Sequence, residues 1–276
     1  MRMSKVQVLI QGMLVAAMLL FFLLPIYWLL STAFKFGRDA FATPPQWFFF
    51  HYTLENFRQL WQNSGTPGYL RNSIIISGGV TALSLLLGVP AGYALARSQS
   101  RLIAASSHLF LLLLMLPPIA MLIPFYLLMR QLHLLGSYAG LILLDTLFDA
   151  SFVAWLMRST FAEMPPAMEE AALVDGASVW QVFRKIALPL AWPGLSAAAI
   201  YCLIFSWNDF LFALMLTSPR TKTLPLGIMA SFSAVEISWG RMAAMSFIAV
   251  LPPFFVALFL NRTWQATISQ RSSPNS

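Results

Sequence analysis

Charge is scarce in this sequence. Only 10% of its 276 residues are Asp, Glu, Lys or Arg, whereas 59% are hydrophobic. A soluble globular domain carries charge on about a quarter of its residues. This chain lacks the charged side chains that would cover a soluble domain of its size, so the composition excludes that class. It indicates an integral membrane protein whose main solvent is lipid.

Cysteine and histidine are also rare. The single cysteine, Cys202, lies in an apolar run, which excludes a disulfide framework within the chain and a cysteine metal site. The three histidines, His51, His108 and His133, are isolated from one another, so we expect no metal site. No nucleic-acid-binding motif accompanies the net charge of +7. We therefore attribute the basic excess to loops that lie against anionic lipid headgroups, and expect no nucleic-acid partner.

Long apolar runs are present in place of charge. About 20 helical residues cross the hydrocarbon core of a bilayer, and six runs reach that length. The sequence therefore predicts an all-α polytopic fold, with one transmembrane domain over residues 1–276. The predicted spans are residues 8–30, 72–96, 102–129, 138–157, 192–216 and 242–260.

Orientation is weakly encoded by charge. The first run follows Arg2 and Lys5, is too long for a signal-peptide core and lacks a small-residue cleavage site, so we interpret it as an uncleaved anchor. Lys and Arg are divided almost equally between the two sides of a six-span chain. The basic residues beside the first helix usually dominate the orientation, and here they favour a cytoplasmic N-terminus.

Small residues in the second run predict a close helix contact. Gly88 and Gly92 are four residues apart and lie on one helix face, where another helix could approach closely. An ordinary packing face is the alternative.

Residues 169–189, within the connection 158–191, form the one long stretch suited to water and to a protein partner. Pro165 and Pro166 suit the start of a helix over residues 167–174. Gly176 can end that helix in the left-handed conformation, and Ser178 with Gln181 predicts a capping box that opens a second helix. We expect Leu188 and Pro189 to stop this second helix. Two short helices joined by a glycine turn would present a compact surface to a partner.

A different reading of the same segment remains open. Five apolar residues of the second helix form a stripe, so the pair could instead lie flat on the membrane. These residues are Val179, Val182, Phe183, Ile186 and Leu188.

One motif in this segment resembles a known family. Glu170-Ala171-Ala172, three residues, Gly176, nine residues, then Ile186-x-Leu188-Pro189 is similar to the EAA loop of permease subunits of ATP-binding-cassette (ABC) importers. Further stretches resemble carbohydrate-uptake permeases of the maltose-transporter type, specifically the smaller, second permease subunit. These are Ser206-Trp207-Asn208-Asp209-Phe210-Leu211-Phe212-Ala213-Leu214 and Thr223-Leu224-Pro225-Leu226-Gly227. The chain departs from the family near its end, where Thr263–Ile268 replace a Gly-rich tail that finishes in lysine.

The resemblance implies a type I importer permease fold, in which residues 158–191 form a cytoplasmic coupling loop that docks into a cleft of an ATPase subunit. It implies a bacterial cytoplasmic (inner) membrane protein with both termini in the cytoplasm. The implied partners are a second permease subunit, two ATPase subunits and an external or periplasmic solute-binding protein. ATP and Mg would be bound by the ATPase, so no catalysis and no cofactor are expected in this chain.

The coupling residues follow from the same resemblance. Glu169 and Glu170, in the first turn of the first helix, could pair with an arginine of the ATPase. Small residues would allow close docking, and Gly176 would act as a hinge. The full set is Glu169, Glu170, Ala171, Ala172, Asp175, Gly176, Ile186, Leu188 and Pro189.

Carboxylates within the apolar runs indicate a substrate path, since ionisable groups are costly inside a membrane. Asp145 and Asp149 are four residues apart and share a helix face, while Asn208 and Asp209 lie in the fifth run. These groups could instead hydrogen-bond to neighbouring helices. We expect a sugar or a related polyol as the solute. The alternative is glycerol phosphate or another non-sugar solute, although no arginine lies deep in a run to bind a phosphate.

Two other classes of protein fit less well. An intramembrane hydrolase would need a nucleophile with a base, or a zinc motif, and the sequence shows neither. A membrane scaffold would not need carboxylates within its spans.

Overall fold

The structure is a computed structural model that describes residues 5–40, 42–63, 65–98, 100–230 and 238–271. Side chains are described over these ranges except at residues 5–8, 63, 101, 102, 104 and 260–271. The described part of the chain is helical apart from its connections and one isolated antiparallel bridge between Lys35 and Tyr52. The polar end of the chain, residues 272–276, lies outside the described residues.

The helices of the first half of the chain are α1 (Lys5–Ala33), α2 (Gly37–Ala40), α3 (Glu55–Asn63), α4 (Thr66–Arg97), α5 (Arg101–Met115), α6 (Pro118–Gln131) and α7 (Tyr138–Ala162). Those of the second half are α8 (Ala167–Val174), α9 (Val179–Val182), α10 (Leu188–Leu190), α11 (Trp192–Trp207), α12 (Leu211–Leu216), α13 (Leu224–Ala230) and α14 (Trp239–Arg271). A π-helical turn, Phe183–Ala187, connects α9 to α10.

Four helices of the described chain are long and apolar enough to cross a membrane unbroken. They are α1, α4, α7 and α14, and they match the first, second, fourth and sixth predicted spans. Two bent helix pairs raise the number to six if each pair is counted as one span. The all-helical polytopic fold is thus confirmed.

The third predicted span is not one straight helix. Its two halves, α5 and α6, meet at an angle of 99°. Pro117 and Pro118 stand at the break, and Leu116 before them is extended, with φ −66° and ψ 126°. Proline disfavours helical backbone in the residue that precedes it, so the two prolines set the position of the bend.

The fifth predicted span, 192–216, is also broken. Helix α11 ends at Trp207 and the chain becomes helical again at Leu211. At its other end α11 meets the α9–α10 segment at 78°. Asn208 and Asp209 therefore lie in a helix break, where side chains can bond to freed backbone groups.

Contacts divide the chain into two compact units. One contains residues 1–67 and 227–250, and the other contains residues 68–226 and 251–276. A single domain over residues 1–276 stays a prediction.

In the first unit, Lys35 is fully buried among aromatic rings. Its Nζ lies 4.0 Å from the centroid of the Trp28 ring and 4.8 Å from that of Phe50. The side-chain amide of Asn56 donates hydrogen bonds to the carbonyls of Ala33 and Lys35, at 2.9 and 2.8 Å. These contacts fix the chain that leaves α1.

In the second unit, α4 and α7 are in close contact through the predicted small residues. A Cβ added to Gly88 would lie 2.7 Å from Val153 Cβ, and one added to Gly92 would lie 2.7 Å from Met157 Cβ. These distances are shorter than real side chains tolerate. The two glycines therefore allow the backbones of α4 and α7 to meet, as the sequence predicts.

Candidate functional site: coupling loop and acidic cavity

The first helix of the coupling loop, α8, has the predicted bounds and ends at the predicted glycine. Gly176 has φ +90°. Its N–H donates to the Leu173 carbonyl at 3.1 Å, and the Ala177 N–H donates to the Ala172 carbonyl at 3.0 Å. These two bonds form a Schellman motif, in which a left-handed residue satisfies the last carbonyls of a helix.

The second helix begins with the predicted capping box. Ser178 Oγ accepts a hydrogen bond from the Gln181 N–H at 3.3 Å, and the Ser178 N–H donates to Gln181 Oε1 at 2.8 Å. Each residue satisfies an otherwise unpaired N–H group of the other.

The observed end of this helical path, at Leu190, lies one residue beyond the predicted stop at Leu188 and Pro189. The helical path continues from α9 through the π-helical turn into α10, and bends only at Ala191. Pro189 stands in the first turn of α10, where a residue needs no N–H donor and a fixed φ is favourable.

Glu169 is turned into the chain and not towards a partner. Its side chain is 9% exposed, and Arg97 Nη2 donates to Glu169 Oε1 at 2.7 Å. Arg97 Nε lies 3.1 Å from both carboxylate oxygens, and the Tyr93 hydroxyl donates to Oε2 at 2.8 Å. Arg97 also donates to the Met164 carbonyl at 3.3 Å. The carboxylate thus joins α8 to the end of α4.

This environment sets the charge of the Glu169 carboxylate. Burial acts to raise its pKa, but hydrogen bonds from Arg97 and Tyr93 and the Arg97 charge outweigh burial and leave the pKa below its ordinary value. Hydrogen bonding to the charged form of a carboxyl group favours that form. Glu169 is therefore an ionised internal contact of the loop.

The other predicted coupling residues are mostly accessible. Glu170, Ala171, Asp175, Gly176 and Pro189 are exposed, whereas Ala172, Ile186 and Leu188 are half-buried.

Apolar side chains beside them extend the accessible surface. Val174 is 87% exposed and Trp180 is 61% exposed. The apolar stripe of the second helix is divided: Val182 and Phe183 are buried in the chain's own core, whereas Val179 is exposed. A helix pair lying on the membrane through that whole stripe is therefore disfavoured.

All four residues predicted for a substrate path line one cavity of the second unit. The cavity has a volume of about 590 Å³, and its polar lining includes Asp145, Asp149, Asn208 and Asp209. Helix α7 supplies the first two residues, four apart on one face. The break after α11 supplies the other two. The fold thus brings the two aspartates of α7 together with Asn208 and Asp209 of the fifth run.

The polar residues of the cavity differ in their partners. Ser206 Oγ donates to Asp145 Oδ2 at 3.3 Å, and the side-chain amide of Asn208 donates to the Ile204 carbonyl at 2.7 Å. Asp209 accepts from the backbone N–H groups of Phe212 and Ala213, at 3.3 and 2.9 Å. Asp209 therefore caps α12. For this residue the structure favours the alternative in which the polar groups hydrogen-bond within the protein.

Aromatic side chains form much of the remaining wall, and the sequence reasoning did not single them out. Phe148 stacks on Phe212, with ring centroids 5.5 Å apart, and Tyr201 stacks on Phe205 at the same distance. All four line the cavity. The spacing of Tyr201 and Phe205, four residues apart just before Asn208, was the available signal.

Metal binding has no visible site in this part of the protein. Among the described residues, no three His, Cys, Asp or Glu side chains are grouped so that they could hold a metal ion.

Membrane-spanning helices, an accessible two-helix loop and a polar cavity are the parts expected of a transport permease. The model of the family described as "Binding-protein-dependent transport system inner membrane component" matches residues 88–269. The chain belongs to this family. It is a multi-pass membrane permease of an ABC importer.

Individual relatives match over most of the chain. A probable ABC transporter permease of Sinorhizobium fredii is 36% identical over 244 residues, which cover 87% of this chain and 86% of that protein. The trehalose transport system permease protein of Mycobacterium tuberculosis is 34% identical over 251 residues, covering 87% and 88%.

A solved structure confirms the importer fold. This chain is similar to a chain of a bacterial ABC transporter involved in the import of the acidic polysaccharide alginate, with a TM-score of 0.79 and 21% sequence identity. The match covers 95% of this chain and 99% of the other.

Proposed function

We propose that the chain carries a sugar or a related polyol across the membrane, as one of two different permease subunits in an ATP-driven importer. The observation that supports this solute class is the composition of the cavity. Carboxylates and amides bond to hydroxyl groups, while flat aromatic faces pack against sugar rings. The named solute of a relative, trehalose, belongs to the same class.

The coupling loop docks on an ATPase subunit in this proposal. Glu170 and Ala171 lie on the exposed side of α8, close in sequence to the exposed Val174. Apolar and small residues let the helix enter a groove, and a carboxylate beside them can pair with an arginine of the partner. Two ATPase subunits bind ATP and Mg and carry out hydrolysis. This chain converts their closure into movement of its spans.

The loop transmits that movement through two connections. Its first helix is held to α4 by the Glu169–Arg97 pair, and its second helix continues through α10 into α11. A displaced loop therefore displaces both α4 and α11. Alternating access requires an element of this kind, which moves between two stable positions.

Topology follows from the docking. With the coupling loop in the cytoplasm, both termini are cytoplasmic, and the opposite side receives solute from an external or periplasmic binding protein.

Glycerol phosphate is the less favoured cargo. Asp145, Asp149 and Asp209 line the cavity, and the described lining contains no Arg or Lys that would pair with a phosphate.

Reconstitution of the importer tests these proposals. The chain, its partner permease and the ATPase are placed in proteoliposomes with the binding protein outside, and uptake of labelled sugars, polyols and glycerol phosphate is measured with and without ATP. We expect ATP-dependent uptake of a sugar or polyol. Uptake of glycerol phosphate alone would contradict the proposed solute class.

A variant tests the docking residue. Glu170→Gln should lower the affinity of the permease for the ATPase subunit about tenfold, as expected for the loss of one interfacial charge pair. Less ATPase should then co-purify with the variant. Unchanged affinity would exclude Glu170 from the docking surface.

A further inference from the structure

The ionisable carboxyl groups of the cavity lining have no basic residue among them. Three aspartates, Asp145, Asp149 and Asp209, line the same space of about 590 Å³, and none of the described lining residues is Lys, Arg or His. Carboxyl groups held away from water require hydrogen bonds, an opposite charge or a proton of their own. The lining therefore favours a solute that donates hydrogen bonds, and a cationic donor above a neutral one.

The fold provides partners for two of these carboxylates. Asp145 accepts from Ser206, and Asp209 accepts from two backbone N–H groups of α12. Asp149 differs from both. Its side chain lines the cavity, the residue is only 2% exposed, and its Oδ2 has no hydrogen-bond partner among the described residues.

An unpartnered buried oxygen points to a missing donor. Most buried polar atoms in folded proteins have a partner, because an unsatisfied group carries its full desolvation cost. A solute that donates a hydrogen bond to Asp149 Oδ2 would remove that cost. A positively charged donor would remove more of it, since charge-assisted hydrogen bonds are the stronger kind.

The surroundings favour an organic cation over a metal ion. No described group of three His, Cys, Asp or Glu is arranged to hold a metal. The stacked pairs Phe148–Phe212 and Tyr201–Phe205 line the cavity instead. Aromatic faces attract ammonium groups and pack against the apolar faces of a sugar ring. The volume lies within the range of small-molecule sites.

We propose that the cavity binds a solute with a protonated amine, an amino sugar or amino polyol, whose ammonium donates to Asp149. This inference rests on the proposed function, because it specifies the solute within the sugar and polyol class. Asp145 and Asp209 add acceptor oxygens to the same space, and the aromatic pairs hold the ring. A neutral sugar of the same size binds more weakly, since a hydroxyl forms a weaker hydrogen bond with Asp149 than an ammonium does.

Direct binding to the permease tests this without the selectivity of the binding protein. The purified complex of this chain and its partner permease, in lipid nanodiscs, is titrated calorimetrically with glucosamine, glucose and N-acetylglucosamine at a pH where the amine is protonated. Glucosamine should bind about tenfold tighter than either neutral sugar, the ratio that one charge-assisted hydrogen bond provides.

Two variants locate the effect. Asp149→Asn should remove the preference for glucosamine, whereas Glu55→Gln, at an exposed carboxylate outside the cavity lining, should retain it. Equal affinities for glucosamine and glucose in the unmodified complex overturn the proposal, and that comparison needs no variant. A preference that survives in Asp149→Asn also overturns it.

The uptake assay separates this inference from the proposed function. If neutral sugars are taken up in an ATP-driven manner but glucosamine and glucose bind equally well, the proposed preference for an amine is overturned and the proposed function stands. No ATP-driven uptake of any sugar or polyol overturns the proposed function, whatever the binding preference.

Discussion

Arg97 and Glu169 form an ion pair in which Nη2 lies 2.7 Å from Oε1, across 72 residues of sequence. The arginine is the last residue of α4, and the glutamate is in the first turn of α8. The pair fixes one side of the coupling loop to a membrane span. Glu170, the next residue, is exposed. Two adjacent glutamates therefore have different tasks, one inside the chain and one at its surface.

Glu169→Gln should destabilise the permease. The substitution leaves a partly buried guanidinium without its counterion, and the loss of a hydrogen bond to a charged group costs about 1.5–3 kcal/mol. We expect a lower apparent unfolding temperature in detergent and less transport for each ATP hydrolysed. Glu170→Gln is the matched control, because its exposed side chain should leave the unfolding temperature unchanged. Equal unfolding temperatures for both variants would refute the structural role of the pair.

The contribution of Glu169 should depend on pH. Its folded-state pKa lies below the ordinary value of 4.5, so on acidification the unfolded chain binds the proton first. The stabilisation is complete above the ordinary value and is lost as the pH falls through the folded-state pKa. The difference in unfolding temperature between the unmodified chain and Glu169→Gln should therefore shrink below about pH 4.5. A difference that stays constant down to the acid limit would exclude this linkage.

Gly176→Leu should damage the coupling loop through backbone strain alone. A Cβ at this position meets no atom within 4 Å, but φ is +90°, and a left-handed conformation costs an L-residue about 1–2 kcal/mol. Transport per ATP hydrolysed should fall, and Gly176→Asn should retain more of it because asparagine tolerates this region.

A second glycine is the control for Gly176. Gly78, in α4, also has open space around an added Cβ but no positive φ, so Gly78→Ala should leave coupling unchanged. Unchanged coupling in Gly176→Leu would remove the glycine from the mechanism.

Gly92→Ala should separate α4 from α7. The new Cβ would lie 2.7 Å from Met157 Cβ and 2.8 Å from the Ala154 carbonyl oxygen, and overpacking of this kind costs about 1–3 kcal/mol. The unfolding temperature should fall in Gly92→Ala and stay level or rise slightly in Gly78→Ala, where alanine favours the helix. Similar shifts in both variants would contradict a steric contact at Gly92.

Local signals made much of the coupling loop predictable. The glycine that ends α8 and the capping box that opens α9 form hydrogen bonds over three to five residues, so each interaction lies within one short stretch of sequence. The stop predicted at Pro189 falls one residue before the last residue of α10, and no sequence signal predicted the π-helical turn that precedes it.

Composition and the length of the apolar runs determined that this is a helical membrane protein, and the resemblance of its EAA motif indicated an importer permease. Composition, run length and motif are all properties of the chain alone. Tertiary structure decided the rest. The i, i+4 spacing puts Asp145 and Asp149 on one face, but only the packing of α7 beside the break after α11 adds Asp209 to them. Likewise, Glu169 and Glu170 are alike in sequence, and only Arg97, brought close by the fold, separates the buried residue from the exposed one. Contacts between residues distant in the chain depend on how helices pack, and the sequence pattern of each helix does not contain that information.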